Sequence, residues 1–381
     1  MNRWYLTEIL SIGAYSKDNR RKNMINQILN QAQYELFKYP HYTVGDYLSR
    51  PFKAIFSRNS KPLDKIGFGN GLLAKALMDY YKKNVNTEEG REVYDVVRRY
   101  YDRWIIGGCK MTSLADVYSG MALIDLYEIS HKEKYKKALD KIYKYVSEYE
   151  TDEMGTLLFH PEKKDKLISV DTIGYVCPFL AKYGAKFDDL NATSIAVTQI
   201  QAFLQNGMDE KLLIPYHGYD SETGIKYGIV GWGMAVGRLL MGMSELLNYM
   251  ESANGNYELI KQAYRRIVDK VETYQNEGGL YNWQLGAKDG PADTGATALI
   301  LYSIAESLEN KVLIGIHKSR MLRGLEALKM CVQEDGSLLG ASCDTDEFSK
   351  YPIDFGNYPW ALANMLSLLV MNEETVQEKI L

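Results

Sequence analysis

The sequence predicts an all-α fold, an (α/α)6 toroid of six helical hairpins forming one domain over residues 1–381. Three observations lead there. Apolar residues recur at spacings of three and four, while strand-like alternation is scarce. About a dozen such stretches follow one another along the chain, each of ordinary helix length. They alternate in character: one with a single apolar stripe, the next apolar on nearly all sides. A stripe suits a helix that covers a core, and an all-round apolar surface suits one buried within it.

In chain order the helices are expected near residues 20–38, 67–84, 90–104, 112–129, 132–148 and 169–183, then 187–206, 229–248, 256–275, 292–308, 315–333 and 356–371. The odd members are amphipathic and charged, as in YKKALDKIYKYVSEY (135–149) and YELIKQAYRRIVDKVETY (257–274). The even members carry GLLAKALMDYY (71–81), GMALIDLY (120–127), GWGMAVGRLLMGM (231–243), TGATALILYSIA (294–305) and YPWALANMLSLLV (358–370). Gly69, Asp116, Asp171, Trp232, Asp293 and Phe355 open the even helices at intervals of 47, 55, 61, 61 and 62 residues. The repeat is one of architecture, with little repetition of sequence. Residues 1–19 and 372–381 are read as terminal extensions.

Composition bounds the partners. The chain is 46% hydrophobic, ample for a large core, and its nine prolines are few for 381 residues, as a helix-rich protein requires. Net charge is −4 with both signs interspersed, so no basic stripe marks a nucleic-acid partner. The densest basic run, Lys132 to Lys144, alternates with apolar residues and reads as the wet face of a helix. No stretch of 18 apolar residues predicts a membrane span. Cys109, Cys177, Cys331 and Cys343 show no zinc-like spacing, so no metal site is expected, and they read as reduced thiols. The apolar stretch of MNRWYLTEILSIGAYSKDNR is interrupted by Glu8 and makes a poor signal peptide. With the thiols, this gives a cytoplasmic expectation.

If the even helices run parallel in a ring, their first turns meet at one rim around a central cleft. That rim collects Asp116, Asp171, Asp293 and Asp354 with Trp232, Tyr358 and Trp360. An Asp at a helix start has a plain use as a cap for free N–H groups. Four on one rim, with aromatics able to stack on a sugar, also make a candidate site.

Six segments together resemble a known group of enzymes. They are IGFGNGLLAKALMDYY (66–81), LADVYSGMALIDLYEISHKEKYKKALDKI (114–142), LLFHPEKKDKLISVD (157–171), SVDTIGYVCPFLAKYG (169–184), PYHGYD (215–220) and DTGATALILYSIAES (293–307). Taken in order, they resemble the unsaturated glucuronyl and rhamnogalacturonyl hydrolases of glycoside hydrolase families 88 and 105, of which the chain looks like a divergent member. The resemblance implies an (α/α)6 barrel and a small oligosaccharide with a Δ4,5-unsaturated uronic acid at its non-reducing end. It implies hydration of the C4=C5 bond, opening of the resulting hemiketal, and no metal or organic cofactor. Oligomeric state does not follow from it.

By the same resemblance Asp171 is the expected general acid/base, and Asp116 its expected neighbour, although the family carboxylate aligns with either Asp116 or Ala115. A second carboxylate beside a half-buried Asp171 would raise its pKa toward the working range. His217 is expected at the sugar or the attacking water, with a surface-loop histidine as the plain alternative. His160 is a weaker candidate of the same kind. Asn70, Trp232, Trp283, Tyr358 and Trp360 are expected as substrate-binding residues, Trp232 doubling as a core residue in the plain reading. Tyr281 lies with Trp283 in the loop that would wall the cleft. Asp293 and Thr294 read as helix caps. The family opening W-G-R-G-N-G-W appears here as Trp232, Gly233, Met234, Ala235, Val236, Gly237 and Arg238. Met234 replaces the expected arginine, and Arg238 lies one turn deeper on the same face, placed to reach back. This departure keeps a second reading open, a toroid with altered catalysis that binds a glycan or assists polysaccharide assembly. The five histidines lie outside the bodies of the even helices, which weighs against a histidine-pair isomerase.

Overall fold

The computed structural model describes residues 23–36, 66–163, 165–345, 348, 350–351 and 354–372. Its helices are α1 (23–36), α2 (Phe68–Lys83), α3 (Glu88–Ile106), α4 (Gly120–Ser130), α5 (Glu133–Ser147) and α6 (Val170–Phe187). They continue with α7 (Leu190–Asn206), α8 (Gly233–Tyr249), α9 (Tyr257–Glu272), α10 (Thr294–Glu309), α11 (Lys318–Lys329) and α12 (Pro359–Met371). The expected terminal extensions fall outside the described residues except for Asn372, which follows α12.

The even helices form the inner ring. Packing runs α2–α4–α6–α8–α10–α12 and closes back on α2, with odd helices laid outside. Burial follows the sequence pattern. In α8 every residue from Gly233 to Leu247 is buried, whereas α9 buries only the stripe Ile260, Tyr264, Ile267, Val268 and Val271, plus Glu272 at its last turn. The inner helices run in one direction, because like ends touch. At the starting ends, Gly233 abuts Ala296, and Gly69 and Gly295 abut Trp360. At the far ends Lys82 and Lys182 share Asp125, and Lys83 Nζ donates to the Val370 carbonyl. One rim therefore gathers all the inner N-termini.

Local chemistry sets the boundaries. Thr87 accepts the Gly90 N–H ahead of α3, Asp189 accepts the Ala192 N–H ahead of α7, and Asp293 accepts the Gly295 and Ala296 N–H groups ahead of α10. Pro359 opens α12, where its missing N–H costs nothing. The expected helix 112–129 is split: Leu114–Ser119 forms a 3-10 turn, and α4 begins only at Gly120.

Strand-like alternation is scarce in the sequence, yet short strands staple the rim loops. β1 (Leu167–Ser169), β2 (Gly218–Asp220) and β3 (Lys226–Tyr227) form an antiparallel sheet, with Ser169 opposite Gly218. β4 (Ala341–Ser342) pairs with β5 (Phe355–Gly356) and closes the long connection between α11 and α12 on itself. Alternation is undetectable in pieces of two or three residues.

Candidate active site

Asp171 sits in the first turn of α6, where Ser169 accepts its backbone N–H at 3.2 Å. The β1–β2 pairing carries His217 alongside, and the Val170 N–H donates to the His217 carbonyl. His217 Nε2 lies 3.0 Å from Asp171 Oδ2. From α8, Arg238 Nη1 lies 2.8 Å from Asp171 Oδ1. This closeness depends on two glycines. A Cβ on Gly174 would stand 2.8 Å from Arg238 Cβ, and one on Gly242 would stand 2.8 Å from the Ile173 carbonyl oxygen. Without side chains there, α6 and α8 approach until the guanidinium meets the carboxylate.

The surroundings are aromatic. The Arg238 guanidinium carbon lies 5.2 to 5.5 Å from the ring centres of Tyr175, Phe68 and Trp232. His217 stacks on Phe348 with ring centres 4.7 Å apart and touches the Trp232 ring. Tyr351 completes the shell. Its hydroxyl oxygen accepts the Ile229 N–H at 2.9 Å and lies 2.9 Å from His217 Nδ1. A Tyr351 hydroxyl donating to Nδ1 leaves the His217 proton on Nε2, donating to Asp171; the tautomer is read from the network.

The electrostatics differ from the expectation. Burial pushes the Asp171 carboxyl upward, but the Arg238 charge and then His217 more than offset it and hold the carboxyl at about 2. The pairing with a second carboxylate is not what sets its state. Asp116 caps the 3-10 turn through one of its oxygens. Its Oδ2 accepts the Thr112 N–H at 2.6 Å, the Thr112 hydroxyl at 2.9 Å and the Ser113 N–H at 3.2 Å, closing a capping box on the 3-10 turn.

The expected open cleft is also closed at Asp171. Asp171 is 1% exposed, and His217 and Arg238 are fully buried. The cover comes from the connection between β4 and β5, which supplies Asp344, Phe348 and Tyr351. Asp344 Oδ1 accepts from Arg238 Nη2 at 3.0 Å.

The remaining predicted residues scatter along the rim. Trp232 is buried within the cluster, so it is core and site wall together. Trp283 meets Tyr351 edge-on at 5.7 Å, and its carbonyl accepts the Gly233 N–H. Tyr358 and Trp360 stack face to face at 4.8 Å, and Trp360 Nε1 donates to the Ser342 carbonyl. Their ring faces engage each other, and Trp360 also abuts Gly69 and Gly295. Asn70 is buried in the first turn of α2. His160 pairs with Glu162 at 3.1 Å and packs on Phe159, whose ring reaches Phe348. Asp293 is wholly occupied as a cap that also takes the Ser342 N–H and hydroxyl, while burial raises its pKa. Tyr281 is buried beneath the rim.

Sequence reasoning missed Phe68, Tyr175, Asp344, Phe348 and Tyr351. For the last three the one available signal was length. The connection after α11 runs from 330 to 358 without helical periodicity, and long loops of that kind are commonly functional. Among the described residues no cluster of His, Cys, Asp and Glu is arranged to hold a metal ion, the four cysteines form no disulfide, and no helix is long and apolar enough to cross a membrane.

Comparison with known proteins places this geometry. A family model described as Glycosyl Hydrolase Family 88 matches residues 49–366. Among solved structures, a possible family 105 glycoside hydrolase from Klebsiella pneumoniae subsp. pneumoniae is 16% identical, with 94% of each chain covered and a TM-score of 0.80. The unsaturated glucuronyl hydrolase of Bacillus sp. GL1, described as responsible for glycosaminoglycan degradation, is 14% identical, with 93% of this chain and 97% of that one covered and a TM-score of 0.70. A family 88 glycosyl hydrolase from Bacteroides vulgatus is 12% identical, covering 89% of this chain and 98% of its own, with a TM-score of 0.62. A search of the curated proteins returns no match. At these identities the solved structures establish the (α/α)6 toroid, and the family model, spanning most of the sequence, establishes the membership: the chain is a divergent glycosidase of Glycosyl Hydrolase Family 88.

Proposed function

We propose that the protein hydrolyses small oligosaccharides that carry a Δ4,5-unsaturated uronic acid at the non-reducing end. The observation that carries this reading is the buried Asp171 carboxylate at the inner rim, held between Arg238 and His217. In the proposed step Asp171 gives a proton to C4 of the double bond, and water adds its oxygen to C5 and returns a proton to the carboxylate. The C5 hemiketal then opens to a ketone, C1 becomes an aldehyde, and the remaining sugar leaves with its hydroxyl. His217 orients the carboxylate through Nε2, and Arg238 binds the uronate carboxylate.

Asp171 starts this cycle ionised, so substrate must bring conditions that protonate it. A uronate carboxylate that engages Arg238 through two hydrogen bonds does so by drawing more of the guanidinium charge away from Asp171 than the single Asp344 oxygen does. Proton uptake is then coupled to binding of the correct ligand. The cytoplasm is the proposed location, supported by four cysteines that form no disulfide.

The test is a panel of disaccharides made by polysaccharide lyases, followed by decay of the conjugated uronate absorbance. Turnover of at least one, strongly reduced in Asp171→Asn, is expected. A wild-type protein that leaves every absorbance unchanged would overturn the hydrolytic reading. One observation favours a second reading, a glycan-binding toroid with altered catalysis: the Arg238 pairing keeps Asp171 ionised, opposite to a poised acid. Binding of a saturated glycan, equal in wild type and Asp171→Asn and without turnover of any panel member, would support it.

A further inference from the structure

Arg238 is a fully buried cation with two different carboxylate partners. Asp171 takes Nη1 from inside the ring, and Asp344 takes Nη2 from the rim side. The two carboxylates differ in exposure. The Asp171 side chain is 2% exposed and the Asp344 side chain 38%, so Asp344 stands between the buried guanidinium and solvent. Beyond Arg238, Asp344 Oδ1 also takes the Thr345 N–H, a contact within its own turn. The same connection sets Phe348 on the His217 ring and the Tyr351 hydroxyl on His217 Nδ1. Two further donors in this shell, Arg238 Nε and Trp232 Nε1, are buried and find no acceptor among the described residues. A site closed with orphaned donors has unused hydrogen-bonding capacity, which is costly unless something else fills it.

We propose that Asp344 is an internal occupant of the ligand-carboxylate position on Arg238, and that a ligand enters by exchanging its own carboxylate for that of Asp344. This rests on the hydrolytic reading for the identity of the ligand, though the position itself belongs to Arg238. The physical reason for a carboxylate-for-carboxylate exchange is the desolvated cation. Stripping Asp344 from a buried guanidinium without replacement leaves a charge partly unpaired in a dry site, whereas exchange keeps the pairing. A neutral sugar hydroxyl offers a weaker replacement. Asp344 thereby sets a threshold that ligands without a carboxylate do not pass, and its departure carries Phe348 off the face of His217.

The experiment compares wild type with Asp344→Ala and Asp344→Asn; the asparagine retains an acceptor for the Thr345 N–H. Calorimetry measures binding of free glucuronate and of neutral methyl glucoside, and KM is measured on any lyase product that wild type turns over. Removing an internal competitor raises the fraction of competent sites, so glucuronate affinity should rise about tenfold, and KM should fall to match. Methyl glucoside, which brings no carboxylate to Arg238, should show no gain. A residue that merely supports the loop would give unchanged or weaker binding when removed. Unchanged or weakened glucuronate binding in both folded variants overturns the proposal, as does an equal gain by methyl glucoside. The two readings separate cleanly. Tighter glucuronate binding with no turnover of any lyase product upholds the Asp344 position and removes the hydrolytic reading. Turnover with unchanged KM and affinity does the reverse.

Discussion

Arg238 reaches Asp171 at 2.8 Å from four residues further along α8 than Met234, the position where the family pattern expects its arginine. Four residues is one helical turn on the same face, so a long side chain placed one turn deeper can deliver a guanidinium to the rim. Met234, fully buried, fills the vacated place with apolar volume. The guanidinium is thus supplied from one turn deeper than the family pattern expects, and it pairs with Asp171.

Removing that charge tests the pairing. Arg238→Met should destabilise the protein by about 3–5 kcal/mol, because Asp171 stays buried without its cation. Urea unfolding followed by circular dichroism measures it. The double variant Asp171→Asn with Arg238→Met, which removes both charges, should recover part of the loss. Equal destabilisation in single and double variants would mean that packing around the tyrosine and tryptophan rings dominates.

Asp171→Asn should keep the helical circular dichroism of the wild type and lower kcat by about 10²–10⁴-fold, the usual contribution of a positioned general acid. The readout is decay of the unsaturated uronate absorbance. KM should change far less than kcat, since the proton is transferred only in the transition state.

The pH dependence follows from sign. The Asp171 carboxyl is depressed, from 3.8 to about 2, by Arg238 and His217. A depressed folded value means stability that is fully present above about pH 4 and is lost as pH falls through about 2. The contribution is on the order of 2 kcal/mol, and Asp171→Asn should flatten the stability curve in that window. Activity should move the other way. If the proton reaches C4 from Asp171, kcat/KM should rise about tenfold per unit as pH is lowered from 8 to 6. A profile flat across that range would exclude Asp171 as the proton donor.

Gly174→Ala places a Cβ 2.8 Å from Arg238 Cβ and 3.1 Å from Arg238 Cα, so α6 and α8 must separate. A cost of about 1–3 kcal/mol is expected from overpacking. Because the same contact sets the distance from Arg238 to Asp171, kcat should fall together with the melting temperature. Full activity at reduced stability would show that the site tolerates a wider α6–α8 spacing.

How much of this could be read in advance varies with the residue. Asp171 and His217 stood out because each lies in a short segment with a recognisable pattern, and Arg238 because helical periodicity fixes which face it shares with Met234. Asp116 was legible as an acid at a helix start, but only its three donors, Thr112 N–H, Thr112 hydroxyl and Ser113 N–H, decide that it serves as a cap. Asp344 and Tyr351 were invisible: their partners Arg238 and His217 lie 106 and 134 residues away, and the connection that carries them has no period to read.

The sequence by itself determined the helices seen among the described residues, their alternation of inner and outer, and the gathering of acids at one rim. These follow from side-chain period and polarity, which each segment carries locally. Only the tertiary structure decided that Asp171 is a buried carboxylate paired with a cation, and that a distant connection covers it. Both outcomes depend on how closely two glycine-bearing helices approach and where a non-periodic loop comes to rest, and such long-range distances are not written in any local pattern.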